Sequence, residues 1–256
     1  MATLLFVAAA SLVCACSVPG QDEIAPQPVD DGGSVAFATT AADVIESDDG
    51  GFPLNLLFVA PPDDAIWEST EWVELAGRPE VDIDHLEIHR GTAGEFEGLG
   101  QRQLGNLSMT IPVDSETSFS EVVMGIDGDR RSFDVGDVRI RPYRQGAFEA
   151  IGDATLTAPE CGTFTQHFKT SGESNPTQAV ADNESTGIGI TGAVTLEGEE
   201  LRADVEVECS GADVYIFTPL LEVGTASERK PLVMDTVSVG TQPTGETIYN
   251  IAARAG

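Results

Sequence analysis

The densest grouping of ligand-type side chains in this chain is Asp82-Ile83-Asp84-His85-Leu86-Glu87-Ile88-His89. Read as a strand, it puts His85, Glu87 and His89 on one side and Leu86 and Ile88 on the other. Two imidazoles and a carboxylate suit zinc or another transition metal, so these three are candidate metal ligands. Alternate side chains on a flat strand stand about 7 Å apart, and a bulge is needed for all three to reach one ion. The plainer account is a solvated polar face opposite an apolar one. Asp127, Asp129, Asp134 and Asp137 form a second grouping, with the loop carboxylates that calcium favours. The twelfth position counted from Asp127 is Val138 rather than Glu, so this is not an EF-hand loop. Arg130, Arg131, Arg139, Arg141 and Arg144 occupy the same stretch. Arg139 and Arg141 share a strand face opposite Val138 and Ile140, and together they are a candidate anion site of forked guanidinium donors. The four nearby aspartates predict instead that these arginines are neutralised in ion pairs.

Covalent chemistry has no recognisable motif in the sequence. There is no GxSxG elbow, P-loop, GxGxxG, SxxK or helical HExxH, and no catalytic residue is assigned. Carboxylates are so numerous that a glycosidase-like pair stays open, and their number makes any chosen pair uninformative. With 43 Asp and Glu against 13 Lys and Arg, the chain carries a formal charge of −30. That charge excludes a nucleic-acid partner, whose phosphates demand a basic footprint. It also repels anionic lipid head groups, so contact with a membrane has to come from something other than the protein surface. No cofactor is called for, zinc or calcium at the two groupings above being the alternatives.

The elements that position these residues read as short strands. Leu107, Met109, Ile111 and Val113 alternate with polar neighbours and Pro112, and Leu201, Ala203, Val205, Val207 and Cys209 share one face of a charged segment. Further β-rich segments lie at Thr155–Thr157, Phe164–Phe168, Ile188–Leu196, Val214–Phe217 and Val233–Val239, separated by turn formers such as Asp127-Gly128 and Glu197-Gly198. This rhythm predicts an all-β fold of one or two antiparallel sandwich or partly closed barrel domains. One helix is considered, over Asp63–Leu75. The expected organisation is a leader over 1–16, an acidic Pro/Gly-rich tether over 17–51, a first β domain over 52–154 and a second over 155–256. Cys161 and Cys209, both in the second, are expected to form a disulfide. No Trp follows Trp72 and Val207 stands two residues before Cys209, so likeness to immunoglobulin domains is one of architecture only.

From Ala2 to Ala15 the chain has no charge and no proline, only an apolar run too short to span a bilayer. The run closes on Val13-Cys14-Ala15-Cys16-Ser17, which resembles the lipobox of bacterial lipoproteins. The resemblance implies export, acylation of Cys16 by fatty chains such as palmitate, and attachment to a cell-envelope membrane facing outside the cytoplasm. Several acyl chains anchor stably where one does not. Together these features predict a lipid-anchored, non-enzymatic envelope protein that binds or supports an envelope protein or glycan. The alternatives are an exported carbohydrate-active enzyme with paired carboxylates, and a metal- or calcium-dependent adhesion module.

Overall fold

The structure, a computed structural model, describes residues 35–47, 51–92, 96, 102–143, 148–152, 155–169, 178–181, 187–225 and 228–255. The leader with Cys16, most of the expected tether, and Arg144 lie outside the described residues. Among the described residues, eighteen strands follow one another in the chain: β1 (Ala36–Phe37), β2 (Thr40–Ser47), β3 (Phe52–Ala60), β4 (Thr70–Leu75), β5 (Asp84–Arg90), β6 (Gln103–Ile111), β7 (Thr117–Ile126), β8 (Asp129–Tyr143), β9 (Glu149–Ile151), β10 (Thr155–Ala158), β11 (Thr163–Lys169), β12 (Gln178–Ala181), β13 (Ile188–Glu197), β14 (Glu200–Cys209), β15 (Val214–Phe217), β16 (Leu220–Thr225), β17 (Glu228–Val233) and β18 (Thr236–Val239). A 3₁₀ turn (Ala65–Trp67) precedes β4, and a helix α1 (Gly245–Arg254) follows β18. The fold is all-β, as the alternating pattern predicts.

A seven-stranded sheet, β10-β18-β15-β2-β8-β7-β4, forms the middle layer. A four-stranded sheet, β1-β3-β6-β5, packs on one face of it, and the apolar side chains of β1, β2, β3, β6, β7 and β8 make the first core. The sheet β13-β14-β11-β9 and the sheet β12-β16-β17 contribute the second core, with β15 and β18 of the middle layer. Period-two alternation lets a single strand serve both cores. In β15, Val214 and Ile216 enter the first while Tyr215 and Phe217 enter the second; in β2, Ala42 and Val44 enter the first and Ala41 the second. Strands from both halves of the chain therefore meet in one sheet.

Two elements differ from expectation. Residues 36–37 and 40–47, expected inside an extended tether, are strands, and 36–38 and 40–45 are buried. β2 lies between β15 and β8, parallel to both, and Ala42 and Val44 are 2% and 0% exposed. The Pro, Gly and acidic residues on either side dominate the composition, but the alternating apolar side chains of 35–45 have two sheet faces to fill. The expected helix over Asp63–Leu75 is only the 3₁₀ turn, capped by the Asp64 carboxylate accepting from Ile66 N–H, followed by β4. The α-helix found among the described residues is α1. Its Thr244 side chain accepts from the Thr247 N–H at the start. Ile248, Ile251, Ala252 and Ala255 enter the first core, and Arg102 donates to the carbonyls of Ala252 and Ala255 at the far end.

Candidate functional site

β5 runs where the histidine grouping predicts a strand, but its register against β6 shifts between Asp84, opposite Thr110, and Glu87, opposite Ser108. That shift is a bulge, and His85 sits in it with φ at 52°. The two-residue repeat is broken between His85 and Glu87, so the three expected ligands do not form one set. Glu87 and His89 pair with each other instead, Nε2 to Oε2 at 3.2 Å on the exposed face. Among the described residues no group of three His, Cys, Asp or Glu side chains is placed to hold a metal ion.

Arg139 and Arg141 do share a face of β8, with Val138 and Ile140 buried on the other. Both guanidinium groups are engaged by carboxylates: Arg139 Nε donates to Glu116 at 2.9 Å, and Arg141 lies 2.9 Å from the buried Asp43. The anion site is thus replaced by ion pairs, as the neighbouring acids predict, and these include partners from outside the arginines' own stretch. Glu116 precedes β7 and Asp43 belongs to β2, the strands flanking β8 on its two sides. Arg130 pairs with Glu74 at 3.0 Å and Arg131 with Asp64 at 3.5 Å. Asp127 and Gly128 have φ of 52° and 83° and form the tight turn joining β7 to β8, the conformation an Asp-Gly pair favours. Asp134 accepts from the Gly136 N–H at 2.9 Å. The aspartates expected to attract calcium are thus turn and strand residues.

Cys161 and Cys209 are bonded, with Cα atoms 6.0 Å apart. Thr163 pairs with Glu206 and the Val207 N–H donates to Gly162 O, so the β11–β14 register, continued, sets Cys161 opposite Glu208, one residue from Cys209. The bridge ties neighbouring strands of one sheet rather than spanning two.

A cleft of about 670 Å³ lies beside the disulfide, lined by Glu160, Glu208, Asp213, Tyr215, Thr244 and Thr247 among others. Its central acid is tied into the fold, because Asp213 accepts from the Thr39 N–H at 2.7 Å and from Arg254. The Tyr215 hydroxyl accepts from the Ala212 N–H at 2.8 Å. Another cleft, about 540 Å³, lies at the rim of the first sandwich between Glu71–Glu74 and Pro79–Leu86. Trp72, Val73, Val81, Ile83 and Leu86 give it an apolar lining, and Glu71, Glu74, Glu80 and Asp82 give it an acidic one. Backbone hydrogen bonding, then its bond with Arg78, holds the Glu80 carboxyl below the usual range. Elsewhere, the Thr165 hydroxyl and then Arg202 hold Asp204 low, and burial pushes the Tyr143 phenol up.

Nothing in the sequence pattern points to this rim cleft. Its walls lie on either side of the turn after β4, and Trp72 is positioned by Gly125 on β7, directly opposite it in the register. A Cβ at Gly125 would lie 2.2 Å from the indole Nε1, so only glycine lets the ring lie down on the sheet. Arg130 completes the packing, its guanidinium carbon 4.9 Å from the ring centroid.

An all-β sandwich with an intrasheet disulfide and an acidic rim cleft defines the class of this protein. No family model matches the chain, and no curated protein matches it. Solved structures do resemble it. A chimeric titin Z1Z2 carrying an exogenous KLER peptide from decorin is 9% identical, with 81% of this chain and 96% of that one covered, at a TM-score of 0.24. The SGBP-B protein of a Bacteroides ovatus mixed-linkage glucan utilization locus, in complex with a mixed-linkage heptasaccharide, is 15% identical over 86% of this chain and 46% of that one, at 0.23. The human desmocollin-1 ectodomain is 12% identical over 83% and 38%, at 0.23. All three scores are too low to carry any argument about ligand or role.

Proposed function

We propose that this chain is an exported, lipid-anchored β-sandwich protein of a bacterial cell envelope that works as a binding or structural module rather than as an enzyme. The observation that carries this reading is the Cys161–Cys209 disulfide, a cross-link that forms and persists in oxidising compartments outside the cytoplasm. The charge-free leader ending in Ala15-Cys16 supports the same address. No helix among the described residues is long and apolar enough to cross a membrane. The acyl chains on Cys16 are then the attachment. The side chains whose types could do chemistry are held in structural pairs, Arg139 with Glu116, Arg141 with Asp43 and His89 with Glu87. This favours a surface that recognises over one that reacts.

Membrane fractionation tests the anchor. Wild-type protein sediments with membranes, carries a diacylglyceryl-modified amino terminus at Cys16 by mass spectrometry, and is released by Cys16→Ser. An unmodified amino terminus beginning elsewhere, with the protein in the soluble fraction, would refute the anchor.

A further inference from the structure

Both layers of the first sandwich end at the same rim. β4 is the last strand of the seven-stranded sheet and β5 the last strand of its partner, so each has one edge without a neighbouring strand among the described residues. The rim cleft lies between β4 and the Pro79–Ile83 segment that leads into β5, whose Leu86 also lines it. The part-exposed Val81, Ile83 and Leu86 supply its apolar floor, and Glu71, Glu74, Glu80 and Asp82 surround it with carboxylates. No Lys or Arg is among the lining residues. Glu74 and Glu80 are partly neutralised by Arg130 and Arg78 from outside the cleft, at 3.0 and 2.8 Å. Glu71 and Asp82 are exposed and make no ion pair among the described residues.

We propose that this rim cleft docks an extended, cationic peptide segment of a protein partner, with apolar side chains on the floor and Lys or Arg side chains on the rim. Charge decides among the occupants. A second copy of a chain with net charge −30 brings the wrong sign, and so does the chain's own 17–34 segment with Asp22, Glu23, Asp30 and Asp31. A sugar needs an open aromatic face to stack on. The Trp72 ring is already packed on Gly125 and Arg130. An extended peptide needs only what the rim has: free strand edges, an apolar floor and surrounding carboxylates. This inference rests on the binding-module reading and gives it a partner class.

The test is calorimetric titration of the detergent-solubilised full chain with the peptide Lys-Val-Lys-Phe-Lys-Val-Lys and its counterpart carrying Glu at every Lys position. The cationic peptide binds and the acidic one does not. Glu71→Lys with Asp82→Lys weakens binding about tenfold or more, while Glu160→Lys with Glu206→Lys, an equal charge change on the other half of the chain, alters it by about twofold or less. Circular dichroism of both double variants matches wild type. Equal weakening by the two pairs would mean diffuse attraction to an acidic surface and would overturn the proposal. So would absence of cationic-peptide binding, binding of neutral cellohexaose in the same cleft, or self-association lost in the Glu71/Asp82 variant. Fractionation of Cys16→Ser is independent of this titration, so failure of the cleft and failure of the anchor are told apart.

Discussion

Removing the disulfide is the perturbation whose size follows most directly from the structure. Cys161 and Cys209 are 48 residues apart in the chain, and their bridge closes that loop in the unfolded state. In the chain-entropy account a loop of this length stabilises the fold by about 4 kcal/mol at room temperature. The Cα separation of 6.0 Å lies within the ordinary range for a disulfide. The β11–β14 register already brings the two backbones together, so the folded sheet has little to lose when the bond is absent. The effect therefore falls mainly on the unfolded chain. Cys161→Ala with Cys209→Ala should leave the far-ultraviolet circular dichroism of the folded protein unchanged while lowering its urea midpoint. With a slope of about 2–3 kcal/mol per molar urea for a protein of this size, the midpoint drops by about 1.3–2 M. Wild-type protein unfolded in excess reductant should fall by the same amount, and reductant should do nothing further to the double variant. A drop below about 0.5 M would refute the entropic reasoning. An altered folded-state spectrum would refute the claim that the sheet register alone brings the cysteines together.

Other perturbations probe the cores and the ion pairs. Gly105→Ala on β6 builds a Cβ 2.3 Å from the fully buried Phe58 ring; overpacking should destabilise by about 1–3 kcal/mol in urea titration, with the far-ultraviolet spectrum still that of a β protein. Asp43→Ala removes the Asp43 carboxylate from Arg141, only 18% exposed, and should cost about 3 kcal/mol; Asp43→Ala with Arg141→Met should recover part of that loss, and a double variant that loses as much as Asp43→Ala and Arg141→Met added together would show the pair to be uncoupled. The Asp204 carboxyl is held below its usual range chiefly by the Thr165 hydroxyl at 2.6 Å. A depressed folded-state value means its contribution is present above the unfolded value and lost as pH falls through the folded one, so Thr165→Val should flatten the acid limb of a stability–pH profile measured by urea midpoints.

The alternating pattern determined a great deal by itself. Leu201, Ala203, Val205 and Val207 face one core because side chains alternate along any strand, whatever its neighbours. Asp127-Gly128 turns the chain between β7 and β8 because both residues tolerate positive φ. α1 was missed, although Ile248, Ile251, Ala252 and Ala255 carry the 3.6-residue repeat and Thr244 caps it, because the signal is short and follows a long run of strands. Only tertiary structure decided which strands became neighbours. β2 was hidden among linker-like residues because its burial depends on two parallel partners, β8 more than 90 positions away and β15 more than 170, which no local window contains. The same dependence took His85 out of line with Glu87 and His89, since a bulge is a mismatch between two strands and not a property of one. It also set Arg141 against Asp43, a partner nearly a hundred positions away that no local window contains. The rim cleft is the extreme case: β4 of one sheet, the segment after its turn and Leu86 of another sheet line it together, and Trp72 lies flat only because Gly125 stands opposite it on β7. Periodicity is written into the covalent chain, whereas pairing is chosen by the free energy of burying all the faces at once.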